Sequence, residues 1–505
     1  MINIGKETIK KQENFWNHAH FHPTDAIEDA WGKKLIDKYS ADGAVKMIRF
    51  YTMFEDIVYQ GDNGELLYDF RINDLRMDYL IEKGFDILCT FCYIPDAVAE
   101  RPMSYYLALG KKIRYKNKVI NLSTPANYDK WEEICYEYTK YLTERYGVER
   151  VSKWFFQCYN EPDCCSFFLG DYPPDDDWRY SKQRAEERAG HYNKLYFGFQ
   201  RAIKSVCKDY QVGGCALAGD LNFFGSWLDY VKENKLGLDF ISIHTYGTGP
   251  KPLNDNVPWG RVNVMNTINV YDNRFAVIKE KQLEDVPLIV DEWGAGTEGV
   301  RSITECPKLI YRENEWFSSY YVKLIYEHIN RGNKLRRMLI CLSGQDRQKF
   351  DFSGNRTFLT KNFINKPIYN AYILGSKLGE NLLAFNTDNQ YISMVPTKQD
   401  NGDYALLFTY SETYFDESLE DKIETLSFDE DIKGKNVTIW AIDRDTTNPC
   451  RMFQRKGWDY DLTKEQLEEL REEGRLKPVK QFVADSNSFD LTLTANGSYL
   501  VTIEK

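Results

Sequence analysis

Trp154-Phe155-Phe156-Gln157-Cys158-Tyr159-Asn160-Glu161-Pro162-Asp163 is an apolar run of strand length that ends at a carboxylate and a turn-forming proline. Pro287-Leu288-Ile289-Val290-Asp291-Glu292-Trp293-Gly294 repeats the design, with glycine as the breaker. Parallel strands covered on both faces read this way, because neither face needs polar residues. A carboxylate at the C-terminal end of such a strand faces the mouth of a barrel. The two glutamates are 131 positions apart. At roughly 40 residues per strand–helix unit this is three units, which predicts the fourth and seventh strands of one barrel, across one rim.

Outward from these runs the chain alternates between strand and helix patterns. Asn14–His20, Val45–Tyr51 and Phe85–Tyr93 read as the preceding strands. Helices are predicted over Ala26–Tyr39, Ile72–Lys83 and Tyr128–Tyr146, the last with Trp131, Ile134, Tyr138, Tyr141 and Leu142 at helical spacing. Downstream come a helix over Ser181–Lys208, a strand over Gln211–Leu217, a helix near Gly225–Lys235 and a strand over Leu238–His244. Helices over Asn263–Lys281, Trp316–Asn330 and Ile364–Leu378 and a strand over Leu335–Leu342 complete eight units. The pattern predicts an α/β chain with a (β/α)8 TIM barrel over residues 13–378. Beyond Leu378 short β-rich segments recur, at Tyr391–Pro396, Tyr404–Tyr410, Asn436–Ile442, Ser488–Thr494 and Ser498–Glu504. They predict an appended C-terminal β-sandwich over 379–505, interrupted by one helix at Thr463–Arg471. Residues 1–12 read as a single strand. A chain of 505 residues exceeds what one core usually organises, so two domains are expected.

Composition narrows the function classes. A formal net charge of −11 excludes nucleic acid and anionic membrane as partners. No run approaches transmembrane length, and Met1–Lys6 lacks the apolar stretch of a signal peptide. Eleven cysteines, an odd number scattered through apolar segments, show no disulfide framework. These features predict a cytoplasmic protein. Eleven Trp and 35 Tyr suit a protein that stacks sugar rings, although cores and subunit interfaces also use aromatics.

Glu161 and Glu292 meeting at one rim would form the carboxylate pair that cleaves a glycosidic bond with retention, a reaction that needs carboxyls ~5–5.5 Å apart. One of the pair must be held protonated near neutral pH and the other ionised. Glu161 suits the acid/base role and Glu292 the nucleophile, while Asn160 can hydrogen-bond the sugar 2-hydroxyl. His18-Ala19-His20-Phe21-His22 places alternate histidines on one strand face, as metal-dependent amidohydrolase barrels begin. That chemistry also needs histidines on later strands, and His191 and His328 fall in helical patterns, which leaves His244. No metal is therefore expected, and His20 or His22 is expected at the pocket rim, bonding sugar hydroxyls. Cys89-x-x-Cys92 lies inside an apolar strand with no second pair, which argues against zinc. Cys164-Cys165 read as solvated loop cysteines, and Asp175-Asp176-Asp177 as a solvated loop within reach of a leaving sugar.

The chain resembles glycoside hydrolase family 39 of clan A, the β-xylosidase and α-L-iduronidase family, almost end to end. Arg49-Phe50 resembles the family's Arg-Phe-His stretch, and Cys92-Tyr93-Ile94-Pro95 its Phe-Met-Pro turn. Trp154 through Asp163 resembles its acid/base segment ending in Trp-Asn-Glu-Pro-Asn/Asp. Ile243-His244-Thr245-Tyr246 resembles its Thr-His-Ala-Tyr strand end, and Glu292-Trp293 its Thr-Glu-Trp motif. Asn448-Pro449-Cys450-Arg451, Gly457-Trp458 and the helix from Lys464 to Leu470 resemble its sandwich insert. The resemblance implies that Glu161 is the acid/base and Glu292 the nucleophile, and that His244 and Tyr246 line the sugar subsite. Tyr51, Trp293 and His20 are the further candidates for substrate contact.

It also implies a cofactor-free retaining exo-glycosidase on an oligosaccharide or glycoside substrate, β-D-xylosides first, with residues 1–12 pairing to the sandwich. Assembly into a homo-oligomer is open to it, as in related xylosidases. Three departures leave the glycone open. Tyr51 stands where the family has histidine, Gly294 where it has asparagine, and Leu339–Gly344 where it commonly has Tyr-Trp-Thr-Phe-Ser-Asp. An α-L-arabinosidase, β-glucosidase, β-galactosidase or α-L-iduronidase-like activity would keep the same mechanism, and a uronidase would need a cation such as Arg347 or Arg301. A non-catalytic carbohydrate-binding protein is the alternative from another class.

Overall fold

In the computed structural model of the chain, residues 1–22, 26–110, 120–164, 167–169, 182–247, 263–299, 301–412 and 419–505 are described. Eight parallel strands close into a barrel: β1 (His18–Phe21), β2 (Met47–Tyr51), β3 (Asp86–Phe91), β4 (Phe155–Cys158), β5 (Gln211–Leu217), β6 (Phe240–Tyr246), β7 (Leu288–Gly294) and β8 (Leu335–Leu342). β8 pairs back to β1 with Cys341 opposite His20. This barrel with a C-terminal β-domain is the architecture that the alternation predicted.

β5 and β8 coincide with the predicted stretches. β1 starts four residues later than expected, and the cause is Asn14. Its side chain accepts from the Trp16 and Asn17 amides, and the Asn17 side chain donates to the Ala44 and Tyr372 carbonyls, so this segment turns instead of pairing. Helix Tyr128–Tyr146 forms where its periodicity placed it. Asn127 caps it by accepting from the Asp129 amide, and Gly147, at φ +82°, ends it. A small hairpin, Val58–Gln60 with Leu66–Tyr68, and a helix over Pro449–Lys456 were not signalled by period; the latter is started by Asn448 accepting from the Arg451 amide.

Alternation along the strands stacks the barrel interior in layers. Met47, Leu88, Phe155, Phe240, Ile289 and Leu339 form an apolar floor. Two residues further along, Arg49, Thr90, Gln157, Ser242, Asp291 and Cys341 form a polar layer, all of them buried. The floor keeps water from the bottom, so the polar layer must satisfy itself from within the barrel.

The C-terminal domain is one nine-stranded sheet that curls over its own apolar face. Its order is Pro478–Val483, Asn436–Ile442, Gly497–Glu504, Tyr404–Tyr410, Ile392–Lys398, Asn381–Thr387, Ile2–Lys11, Lys422–Phe428 and Ser488–Leu493. Ile439 near one end and Leu426 and Leu493 near the other share a single buried cluster. The N-terminal strand Ile2–Lys11 sits inside this sheet, antiparallel to Asn381–Thr387 and parallel to Lys422–Phe428. Helix Glu315–Asn330 joins the domains: Thr409 Oγ1 donates to Ser319 Oγ at 2.8 Å, and Glu315 accepts from Asn448 Nδ2 at 2.7 Å and Arg451 Nη2 at 2.6 Å. Among the described residues no helix is long and apolar enough to cross a membrane.

His328, on that joining helix, is buried against Phe15 and Tyr271, with Nδ1 accepting from Asn333 Nδ2 at 2.9 Å. Burial, helped by the nearby Arg331 charge, lowers its pKa to about 3. The unfolded chain, with an ordinary histidine near 6.5, therefore binds a proton that the folded chain refuses. The stability tied to this neutral ring is complete above about pH 6.5 and is lost as pH falls towards 3. Urea midpoints should fall between pH 7 and pH 4, and His328→Gln should flatten that fall. Equal slopes in both proteins would remove His328 from the acid transition.

Candidate active site

Glu161 lies three residues beyond β4, in a turn where Tyr159 and Glu161 itself take φ values of +64° and +46°. A side chain tolerates this region poorly, so the surroundings must hold it there. Asp163 supplies the hold: its buried carboxylate accepts the Ala218, Gly219 and Asp220 amides at 2.9, 2.7 and 2.9 Å, and the Glu161 amide donates to the Ala216 carbonyl. The loop after β4 is thereby fastened to the end of β5.

Glu292 reaches the pocket from β7, whose register shifts between Val290 and Glu292. Such a bulge breaks the alternation, so both Asp291 and Glu292 reach the interior. Glu292 Oε1 accepts from Arg49 Nη1 at 2.9 Å and lies 3.1 Å from His20 Nδ1 and 3.3 Å from Tyr51 Oη. Oε2 accepts from Tyr246 Oη at 2.7 Å. His244 Nδ1 is 2.9 Å from Glu161 Oε1 and 3.7 Å from Glu292 Oε2, and its Nε2 is 3.4 Å from Asp291 Oδ2. One oxygen of each glutamate and a His244 nitrogen lie within 4.8 Å of one another.

Electrostatics separates the two carboxyls. Burial by itself would raise the Glu292 pKa, but His244, His20 and Arg49 outweigh it and hold the group well below the usual carboxylate range. Burial likewise works against a charged His244, and Glu292, Asp291 and Glu161 reverse that, raising its pKa to about 10. Around His20 burial prevails over the attraction of Glu292 and lowers the pKa to about 4, so that ring is neutral. Glu292 is 8% exposed at its side chain and Glu161 17%, which leaves Glu161 the more open of the pair.

Most of the predicted contact residues converge here. Asn160 is buried, with Oδ1 accepting from Arg49 Nη2 at 2.8 Å, and Tyr51, His244 and Tyr246 all touch a glutamate. Three expectations are corrected. His20 is not at the rim: it is fully buried beneath Glu292, with Tyr51 stacked on its ring, because β1 carries it two residues deeper than the half-buried His22. Trp293 does not face the pocket. Being next to the inward-facing Glu292, it points out of the barrel and stacks on Tyr320 and Tyr321 of helix Glu315–Asn330. Cys164 is buried rather than solvated, and Cys165 and Asp175–Asp177 lie outside the described residues.

Four further groups complete the site. Arg49 also donates from Nε to Gln157 Oε1 at 2.9 Å and lies 3.1 Å from Asp291 Oδ2. Gln157 Nε2 donates to Asp291 Oδ2 at 2.8 Å, and Cys341 lies beside His20. Arg356, rather than Arg301 or Arg347, adds a further cation at the pocket: its Nη1 donates to Tyr246 Oη at 2.9 Å, while the other two are exposed. Alternation on β2, β4 and β8 points at Arg49, Gln157 and Cys341; Arg356 carries no sequence signal, since it lies in the loop after β8. Gly294 also has a role, because a Cβ there would sit 3.0 Å from the Tyr246 ring.

Two acidic side chains this close, at the C-terminal mouth of a TIM barrel and with one pinned by cations, define a glycoside hydrolase. The sequence profile described as Glycosyl hydrolases family 39 matches residues 1–490, and the chain belongs to that family. It is 25% identical to a β-xylosidase of Caldicellulosiruptor saccharolyticus over 538 aligned residues, covering 100% of this chain and 98% of that protein. A monomeric β-xylosidase of Caulobacter crescentus CB15 superposes with a TM-score of 0.81 at 18% identity, covering 100% and 99% of the two chains. A family 39 enzyme of Xanthomonas axonopodis pv. citri gives 0.78 at 17%, covering 100% and 97%.

Replacing Arg49 tests the polar layer. Arg49→Met leaves Asp291, Glu292 and the Asn160 oxygen facing an apolar side chain, and should cost about 3–5 kcal/mol of stability. It should also lower kcat/KM by about 10²–10³-fold, as loss of a preorganised donor does. Arg49→Lys should recover stability better than activity, because ammonium lacks the planar fork. Wild-type kinetics in Arg49→Met would exclude a role in turnover.

Proposed function

We propose that this glycoside hydrolase is a retaining exo-β-D-xylosidase acting on short oligosaccharides, with Glu292 as nucleophile and Glu161 as acid/base. One observation carries the mechanism: a carboxyl oxygen of Glu161 lies within 4.8 Å of one of Glu292, the close approach of a retaining pair and short of the ~6.5–9.5 Å between the groups of an inverting enzyme. The xyloside preference rests on the likeness to proteins described as β-xylosidases.

In the first step a Glu292 oxygen attacks C1 of the glycone while Glu161 gives its proton to the departing oxygen. The C1–O bond breaks, and a glycosyl ester on Glu292 remains. In the second step Glu161 takes a proton from water, the water oxygen attacks C1, and Glu292 leaves as carboxylate. Held ionised by His244, His20 and Arg49, Glu292 is ready to attack. Asn160 commits its oxygen to Arg49 and so turns its amide N–H towards the sugar 2-hydroxyl. The enzyme works in a reducing cytoplasm on this reading, which the odd number of cysteines scattered through apolar segments supports.

A second glycone has one observation in its favour. Arg356 sits where the family's strand-eight stretch is replaced, two hydrogen bonds from Glu292, and a guanidinium suits a sugar carboxylate. Hydrolysis of p-nitrophenyl β-D-xyloside, α-L-arabinosides, β-D-glucoside, β-D-galactoside and α-L-iduronide separates these readings. The xyloside should be turned over best, and preference for the iduronide would hand the assignment to Arg356.

Glu161→Ala should lose most activity on poor leaving groups and recover with azide, yielding a β-glycosyl azide; no rescue would reject the acid/base role. A 2-fluoro xyloside should label Glu292, and a label on another residue would overturn the nucleophile.

A further inference from the structure

His20, Cys341 and Glu292 bring an imidazole, a thiol and a carboxylate to one spot on the pocket floor. They come from the neighbouring strands β1, β8 and β7, with Cys341 and His20 directly opposite in register. One donor atom from each lies within 4.8 Å of the other two. His20 Nδ1 is 3.6 Å from Cys341 Sγ and 3.1 Å from Glu292 Oε1. A tetrahedral cation bound by sulfur at ~2.3 Å and by nitrogen and oxygen at ~2.0–2.2 Å spaces its ligand atoms about 3.4–3.6 Å apart. The observed separations need little adjustment to enclose one.

The protonation states also suit ligation. His20 is neutral, so moving its proton to Nε2 frees Nδ1, and Nε2 has no hydrogen-bond partner among the described residues. Glu292 is already ionised. Cys341 is a buried thiol whose pKa is pushed up to about 12, and a thiophilic cation displaces such a proton.

We propose that His20, Cys341 and Glu292 form a binding site for a soft divalent cation, Zn²⁺ or Cd²⁺, whose occupation switches the hydrolase off. The switch, though not the site, rests on the reading of Glu292 as nucleophile. On binding, the Cys341 S–H bond breaks, its proton leaves to solvent, and metal–sulfur, metal–nitrogen and metal–oxygen bonds form; nothing is oxidised or reduced. The fourth position faces the pocket and keeps a water. Arg49, which donates to the same Glu292 oxygen at 2.9 Å, and Arg356 near Cys341 oppose any added positive charge. That opposition excludes Mg²⁺ and Ca²⁺, whose binding rests on oxygen ligands, and leaves cations that gain from the thiolate and imidazole. Proton release makes binding tighten as pH rises.

Co²⁺ is the spectroscopic probe. Added to chelator-treated enzyme, it should give a thiolate-to-metal charge-transfer band in the near ultraviolet and the intense visible bands of a tetrahedral ion. Cys341→Ser should abolish the charge-transfer band, and His20→Asn should weaken both features. Wild-type spectra in a folded Cys341→Ser protein would overturn the site. In kinetics, Zn²⁺ and Cd²⁺ should inhibit wild type competitively with the xyloside, reversibly by chelator, and with Mg²⁺ inactive. The inhibition constant should rise at least about tenfold in Cys341→Ser, the smallest loss expected for a disrupted metal site. A Co²⁺ spectrum without inhibition would overturn the switch while leaving the site standing, and would count against Glu292 as nucleophile.

Discussion

The guanidinium of Arg49 is fully buried inside the barrel and cannot be left unpaired there. Its donors reach Thr90 on β3, Gln157 on β4, Asn160 beyond β4 and Glu292 on β7, with Asp291 at 3.1 Å. These groups come from distant parts of the chain, and one rigid fork sets their spacing. The separation of Glu161 from Glu292 depends on it, since Asn160 adjoins the former and the fork grips the latter. Three of these groups are held from a second side as well: Gln157 by Thr90, Glu292 by Tyr246, Asp291 by Gln157. Most of the network finds its partners within the barrel, as the apolar floor beneath it requires, while Asp291 Oδ1 and His20 Nε2 have no hydrogen-bond partner among the described residues.

That network also assigns unlike environments to like side chains. Glu292 sits among Arg49, His244, His20, Tyr51 and Tyr246, where a negative charge is strongly favoured. Glu161 has His244 as its close charged partner among the described residues, and stands nearer to solvent. Under the proposed mechanism, protonating Glu161 also brings the core of the site to balance, with the Asp291 and Glu292 carboxylates facing the Arg49 and His244 cations.

Much of this could be read in the residues. Strand-length apolar runs ending in Glu161 and Glu292 marked the barrel and its mouth, because a covered parallel strand tolerates polar residues only at its end. The failures have specific causes. Trp293 was assigned to the pocket through the likeness of its motif, although strand alternation from Glu292 already sends it outward. Asp291 follows the alternation from Ile289, and it is Glu292 that a bulge turns inward beside it. His20 looked like a rim residue because β1 was taken to begin at Asn14, and the Asn14 cap delays it to His18. Arg356 could not be found by period or motif, since only the folded loop after β8 brings it to Tyr246.

The strand-eight departure changes the meaning of the pocket as well as its shape. Where the family commonly presents aromatic and acidic side chains, this chain presents Cys341 on the strand and Arg356 from the following loop. Arg356 donates to Tyr246, and the absence of a Cβ at Gly294 lets the Tyr246 ring close against β7 and reach Glu292. Cys341 stands where the family commonly has threonine, with its sulfur 3.6 Å from His20 Nδ1. Tyr51, on the other side, stacks on His20 where a second imidazole would otherwise stand. The departures at positions 51, 294 and 341 thus surround one carboxylate: Tyr51 lies against Glu292 and His20, Gly294 backs the Tyr246 ring that donates to Glu292, and Cys341 lies beside His20. Gly294→Asn would place a Cβ 3.0 Å from the Tyr246 ring, so the ring must give way by some tenths of an ångström at the point where it bonds Glu292, and the effects of changes at positions 246, 292 and 294 should not add.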